Sequence, residues 1–258
     1  MTCSVHLYNP YKHGHINASK TQENEMSECD IQEIFSSVGK DYGFRSVTAA
    51  FSPENDLKVC WMRTGPTIDF WVSDYLESAP EDILESVAEA IYRKIRGSGD
   101  DSYPERVVEF LISRDFAKEN RGSYLQRKGG VSTDRIGRHQ DLDASYRRLV
   151  RRGLVEREDD LVIGWVPLGT KKDVGNSSVL MRTALLNRRL DNPFMDDDLI
   201  DYCLFTQITF VQMGFYQDSR ERRERLEELI GSYPHHERYE SALRDMGLGN
   251  GEELSPEC

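Results

Sequence analysis

Apolar residues in this chain fall into helical and strand spacings, and the same order of spacings occurs twice. In the first half, residues 31–38 carry apolar side chains at helical spacing. Two strands are predicted at 57–61 and 67–72, joined across a Gly-Pro turn. A second helix is predicted from Ser78, whose hydroxyl suits an N-cap, to Gly97. The first half is therefore predicted to form a helix, a β-hairpin and a helix.

The second half repeats this order. A helix is predicted from Asp141, followed by strands at 161–165 and 178–186. A longer loop, 166–177, separates these two strands, and another helix is predicted at 199–211. The second half is therefore also predicted to form a helix, a hairpin and a helix.

One string supports an internal duplication. Residues 56–61 match residues 160–165 at the aspartate, the leucine and the tryptophan. This alignment predicts that Trp61 and Trp165 occupy equivalent places in two similar hairpins. The alternative, that an α+β chain repeats such a pattern by chance, stays open.

The pattern predicts an α+β fold built from two helix-hairpin-helix subdomains, each with a small sheet packed on helices. Polar, aperiodic sequence at both ends predicts disordered tails. The predicted boundaries are a tail over 1–27, an N-terminal α+β subdomain over 28–103, a connecting helix and linker over 104–134, a C-terminal α+β domain over 135–246 and a tail over 247–258.

Charge and cysteine usage narrow the functional classes. The formal net charge of −12 disfavours non-specific binding to nucleic acid or to an anionic membrane. Five cysteines without a Cys-x-x-Cys pair are typical of reduced thiols rather than of disulfides or a zinc knuckle. No run of apolar residues is long enough to span a membrane, and the first residues do not resemble a signal peptide. We expect a cytoplasmic protein.

Three short strings in residues 141–246 resemble the SprT-like and YgjP-like zinc metallopeptidases. They are Asn187-Arg188-Arg189-Leu190-Asp191, Leu199-Ile200-Asp201-Tyr202 and Ser232-Tyr233-Pro234. The resemblance implies a minigluzincin-type or SprT-type domain: a helix, a β-hairpin and then a helix that bears His-Glu-x-x-His. A third histidine further along completes the zinc site in that family.

The chain departs from the family at its active residues. Where the family has His-Glu-x-x-His, this sequence has Thr206-Gln207-Ile208-Thr209-Phe210, and Gln217 stands near the expected third ligand. Zinc hydrolysis needs two imidazoles one helical turn apart and a carboxylate beside them as the base. Thr206 is a poor ligand, Phe210 is none, and Gln207 has no carboxylate. We therefore expect a pseudoenzyme with no catalytic residue, no metal ligand in its folded core and no cofactor.

The vacated site has two possible fates. Phe210 fills the space of the zinc, or a groove lined by Thr206, Gln207, Phe210 and residues near Asn187 persists as a binding surface. We expect the first, because Phe210 continues the apolar stripe of its helix. Phe210→Ala is then expected to lower the free energy of unfolding by about 3–5 kcal/mol.

These observations favour a non-catalytic, metallopeptidase-like module that binds or regulates a partner. A protein partner is expected, and nucleic acid is disfavoured by the net charge. The alternative is a winged-helix-type DNA-binding regulator that uses the helix at 141–152; a solvated helix face explains the same charges. A third possibility is a hydrolase with an unfamiliar site. The DNA contacts in the alternative would come from Arg138, Arg147, Arg148, Arg151 and Arg152.

Overall fold

The computed structural model describes residues 2–8, 27–97, 102–167 and 173–249. These residues divide into two compact units, one that ends at Phe110 and one that begins at Leu111. In chain order the elements are β1 (Thr2–Tyr8), α1 (Ser27–Asp41), β2 (Ser46–Ser52), β3 (Leu57–Thr64), β4 (Thr67–Ser73), α2 (Glu81–Arg96), α3 (Glu105–Leu111), α4 (Arg114–Arg127), α5 (Leu142–Arg151), β5 (Val162–Val166), β6 (Gly175–Ser178), β7 (Thr183–Asn187), α6 (Asp197–Gln212), α7 (Ser219–Gly231) and α8 (His236–Asp245).

The N-terminal unit is built on a four-stranded sheet in the order β1-β3-β4-β2. Strand β3 lies antiparallel to both β1 and β4, whereas β2 lies parallel to β4. Alternate residues of β3 and β4 are buried, as the period of two along a strand requires. Phe70 on this buried face contacts the rings of Phe35 on α1 and Tyr92 on α2, with centroids 4.8 and 5.3 Å away. Both helices therefore pack on the same face of the sheet.

The C-terminal unit contains a three-stranded sheet in the order β5-β7-β6. Strand β5 is parallel to β7, and β6 is antiparallel to it. Every residue of the central strand β7 is buried, and α6 is buried along most of its length because it packs on β6, β7 and α5. This agrees with the sequence of α6, which is apolar on nearly every side.

The two units share one topology. Apart from β1, which only the N-terminal unit has among the described residues, each contains a helix, three strands, a short 3-10 helix and a further helix, in that order. In each, the third strand lies in the middle, parallel to the first and antiparallel to the second. By this pattern β2 corresponds to β5, β3 to β6 and β4 to β7.

The predicted equivalence of Trp61 and Trp165 is wrong. Trp61 lies on β3, between two antiparallel neighbours, whereas Trp165 lies on β5 and pairs in parallel with β7. The predicted second hairpin is wrong for the same reason, because β5 does not pair directly with the strand that follows it. The sequence pattern does not predict strand β2, because most of its residues are small or polar. The two strings therefore align β3 with β5, although β5 corresponds to β2 in the topology.

Three further predictions, for the two tails and for the start of α2, differ from the structure. Thr2–Tyr8 form β1 within the predicted N-terminal tail, and residues 9–26 lie outside the described residues. In the predicted C-terminal tail Leu248 is buried; residues 250–258 are outside the described residues. Helix α2 has Pro80 rather than Ser78 at its N-cap, although it ends at Gly97 in the left-handed conformation, as predicted.

The predicted α+β fold class is confirmed by the two mixed sheets and their packed helices. The predicted connecting segment 104–134 holds two helices, α3 and α4, and α4 belongs to the C-terminal unit. Within the part of the chain that the structure describes, no helix combines the length and the apolar character needed to cross a membrane.

Candidate functional site

Helix α6 carries Thr206, Gln207 and Phe210, the positions that the resemblance aligns with the zinc-binding motif. Its N-terminus is fixed by Asp196, whose carboxylate accepts a hydrogen bond from the Asp198 backbone N–H. Thr206 and Gln207 lie in its second half and are buried, with only 9% of Gln207 exposed. The helix therefore holds two polar side chains in the interior of the C-terminal unit.

Both polar side chains are satisfied inside the protein. Gln207 Oε1 accepts a hydrogen bond from Ser177 Oγ of β6 at 2.6 Å. Thr206 Oγ1 donates to the backbone carbonyl of Cys203 at 2.9 Å, and Gln207 Nε2 lies 3.4 Å from the same hydroxyl. Because buried polar groups are costly without a partner, this network fixes the amide of Gln207 in one orientation.

Gly175 makes room for this arrangement. A Cβ atom at position 175 would lie 3.0 Å from the side-chain amide of Gln207 and would overlap the Leu185 carbonyl oxygen. Only glycine lets β6 approach both α6 and β7 this closely. Gly175 and Ser177 were both assigned to a loop from the sequence, because the polar string in which they stand gives no strand signal.

Phe210 and Gln217 lie apart from this network. Phe210 is half-buried and does not belong to the apolar core of the unit, so the expectation that it fills the vacated space is wrong. Gln217 is exposed beyond the C-terminal end of α6. The structure therefore brings Thr206 and Gln207 together in the interior, whereas Phe210 and Gln217 are more exposed.

The described residues around this network offer neither a reactive thiol nor a metal cluster. Cys203 is fully buried on the same helix, and burial raises the pKa of its thiol far above the usual range, which leaves it inert. Among the residues that the structure describes, no three histidine, cysteine, aspartate or glutamate side chains come together as a metal site would require.

The aspartate of the Leu-Ile-Asp-Tyr string joins α5 to α6. Asp201 is 1% exposed and accepts hydrogen bonds from Ser145 Oγ at 2.6 Å and from Arg148 Nη2 at 2.7 Å. Arg148 Nε adds a second contact at 2.8 Å, so the pair is bidentate. The hydrogen bonds to Asp201 raise the pKa of Arg148. In this string, Asp201 therefore links α6 to α5 through buried hydrogen bonds, and we call this contact the helix clamp.

Most of the arginines proposed as DNA contacts are used within the protein. Arg148 binds Asp201, Arg147 lies 3.5 Å from Asp143, and Arg152 lies over the ring of Tyr233. Of these five arginines, only Arg138 and Arg151 form no side-chain hydrogen bond or ion pair with a residue that the structure describes. Both of these side chains are exposed to solvent. Strand β5 also pairs in parallel with β7, unlike the antiparallel hairpin that forms a wing.

Asp191, from the Asn-Arg-Arg-Leu-Asp string, organises the loop before α5. Its carboxylate accepts hydrogen bonds from the backbone N–H groups of Arg138, His139 and Gln140 at 2.7–3.1 Å. Partial burial disfavours the charged form, but the three donors outweigh it and lower the pKa of Asp191. Gly137 permits the contact, since a Cβ there would lie 2.5 Å from this carboxylate.

Comparison with known proteins provides no relative on which to base a role for these residues. No protein-family model, curated protein or solved structure matches this chain.

Proposed function

We propose that this chain is a non-catalytic, metallopeptidase-like protein that binds a protein partner. The observation that carries the proposal is the buried hydrogen bond from Ser177 Oγ to Gln207 Oε1. A peptidase would need a carboxylate at position 207 to take a proton from the zinc-bound water. A neutral amide that is already held by a serine cannot do this.

The order of elements supports a metallopeptidase-like origin. Helices α5 and α6 flank the strands in the order that the resemblance implies, although three strands stand in place of a hairpin, and positions 206–210 fall on the helix after the strands. The middle strand of the sheet ends in a short 3-10 helix, Arg188–Leu190, within the Asn-Arg-Arg-Leu string. The repeated topology of the N-terminal unit supports a duplication of the same plan.

Both edges of the C-terminal sheet are partly occupied by other segments of the chain. Ser132 exchanges two backbone hydrogen bonds with Trp165 on β5, at 2.9 and 2.8 Å. At the start of β6, the Val174 N–H donates to the Gly249 carbonyl, and Tyr124 Oη donates to Asn176 Oδ1. Strand addition needs free backbone groups along an edge. The open-groove alternative is therefore not favoured, and the partner is expected elsewhere.

The turn at 192–195 presents an exposed aromatic ring. Phe194 is 91% exposed, yet its backbone N–H donates to Asn192 Oδ1 at 3.0 Å. The Asn192 carbonyl accepts from the Met195 N–H at 3.1 Å, and Pro193 fixes the first central position of the turn. Gln140 Nε2 donates to the carbonyls of Asn192 and Met195 from behind. The ring is thus held out by a rigid turn.

A rigid, exposed phenyl ring is suited to anchor a protein interface. Aromatic anchors dominate binding energies when they enter a desolvated pocket, and a preformed turn lowers the entropy cost of binding. Ile136 is 66% exposed in the loop that Asp191 holds, and it adds apolar surface in the C-terminal unit. The partner that fits is a protein with an apolar pocket for the Phe194 ring.

Affinity capture with the full chain tests this proposal. We expect the wild-type protein to retain a partner from native extract, and Phe194→Ala to reduce its recovery at least about 10-fold, as for loss of an interface anchor. Ile112→Ala is the matched control, because Ile112 is also apolar and 42% exposed. Recovery of the same proteins by all three forms would contradict the docking role. Zinc-dependent hydrolysis of a peptide by the wild type would contradict the non-catalytic role.

A further inference from the structure

An open cleft of about 430 Å³ lies beside α5 in the C-terminal unit. It is formed by one side of α5, the residue Arg135 in the preceding loop, and the segment 157–159 that leads to β5. The lining residues are Arg135, Asp143, Tyr146, Arg147, Val150, Arg151, Arg157, Glu158 and Asp159.

The cleft has an excess of positive charge. Four of its side chains are arginines and three are acids. One of the acids, Glu158, forms an ion pair with Arg182, which does not line the cleft. Asp143 is shared, with Arg135 Nη1 at 3.0 Å and Arg147 Nη2 at 3.5 Å. This local charge is opposite in sign to that of the whole chain, −12.

Arg147 and Arg151 face the cleft from adjacent turns of α5. Like charges at i and i+4 repel each other on a helix, so this pair lowers stability when no anion lies between them. The side chain of Arg151 forms no ion pair or hydrogen bond with any described residue. Its charge is therefore available to a ligand.

The walls of the cleft are fixed before any ligand arrives. Tyr146 Oη accepts a hydrogen bond from the Glu158 backbone N–H at 2.8 Å, which ties α5 to the segment 157–159. The Arg135 guanidinium lies over the Tyr146 ring, 5.7 Å from its centroid. Arg147 Nε donates to the Asp143 carbonyl at 3.2 Å. Pre-organised guanidinium groups lose little entropy when they bind an anion.

We propose that this cleft binds a compact phosphorylated small molecule, with Arg151 and Arg147 contacting its phosphoryl group. The planar guanidinium fork matches phosphate oxygens, and a doubly charged group neutralises the excess charge. The cleft is larger than phosphate alone requires and lies within the range of small-molecule sites, with Val150 as an apolar contact. The negative charge of the chain opposes an extended polyanion more than a compact one. This site is separate from the Phe194 turn and does not depend on its role.

Calorimetric titration of the full chain tests the proposal. The probes are ribose 5-phosphate, inorganic phosphate and a short DNA duplex, and we expect ribose 5-phosphate to bind most tightly. Arg151→Glu is expected to weaken its binding at least about 10-fold, because the substitution replaces an attractive charge with a repulsive one. Arg147→Glu should act in the same direction. Arg223→Glu, an equal change of charge on the exposed face of α7, should leave the affinity unchanged.

The outcomes separate the possible ligands. Tightest binding of ribose 5-phosphate with loss in the Arg151 variant supports the proposal, and denaturation curves establish that each variant is folded. No heat with either small probe at millimolar concentration would overturn it. Tighter, strongly salt-dependent binding of the duplex would also overturn it and would revive nucleic acid as the ligand. Equal weakening by Arg223→Glu would also overturn it, because the net charge of the chain rather than the cleft would then set the affinity.

Discussion

Replacing Arg148 with methionine is expected to lower the free energy of unfolding by about 3–5 kcal/mol, the usual cost of leaving a buried charge unpaired. Asp201 is almost completely buried, and Arg148 supplies its bidentate partner across the contact of α5 with α6. In the variant, Ser145 is the one hydrogen-bond donor among the described residues that remains to stabilise the carboxylate. Urea denaturation at neutral pH measures the loss.

Two further variants define the cause. Arg147→Met removes a neighbouring charge that is paired at the surface, so a loss below about 1 kcal/mol is expected. Combining Arg148→Met with Asp201→Leu removes both charges and should recover much of the stability, as replacements of whole buried ion pairs do. A similar small loss for Arg148→Met and Arg147→Met would show that the clamp between the helices does not carry stability.

Phe205→Ala is expected to cost about 3–5 kcal/mol, whereas Phe210→Ala is expected to cost about 1–2 kcal/mol. The two residues lie on the same helix and differ mainly in burial. Phe205 is buried, and its ring lies 4.8 Å from that of Tyr233, whereas Phe210 is only half-buried. Chemical denaturation of the two variants side by side gives the comparison.

The ranking of the two losses is the decisive result. A loss for Phe210→Ala as large as that for Phe205→Ala would mean that Phe210 fills the interior of the site, as the apolar stripe of α6 suggested. A smaller loss agrees with an interior that is filled by Gln207 and held by Ser177.

Local signals in the sequence predicted several elements well. The hairpin of β3 and β4 was found because strand residues flank a Gly-Pro turn. The helical spacing of apolar residues placed the start of α5 at Asp141, which caps the helix by accepting hydrogen bonds from the N–H groups of Asp143 and Ala144. Such signals involve neighbours in the chain, so a single stretch of sequence contains them.

Pairing between distant strands was not predictable in the same way. Whether β5 pairs with β6 or with β7 depends on contacts across the sheet, and no residue in β5 alone specifies the choice. The strand β6 was not predicted because Gly175 and Ser177 have low strand propensity. These residues instead allow α6 to approach the strand and to form a hydrogen bond with it. The positions Thr206 and Gln207 were found through the resemblance, but their partner Ser177 was not.

The zinc content of the full chain tests the central claim most directly. After brief chelation, elemental analysis should find well under one zinc per chain, because Thr206, Gln207 and Phe210 provide neither imidazole ligands nor a carboxylate base. A second form with Cys3→Ser, His6→Gln, His13→Gln and His15→Gln removes the other possible ligands near the N-terminus. The account predicts no tightly held zinc in either form. One zinc per chain that survives chelation in the substituted form would contradict it.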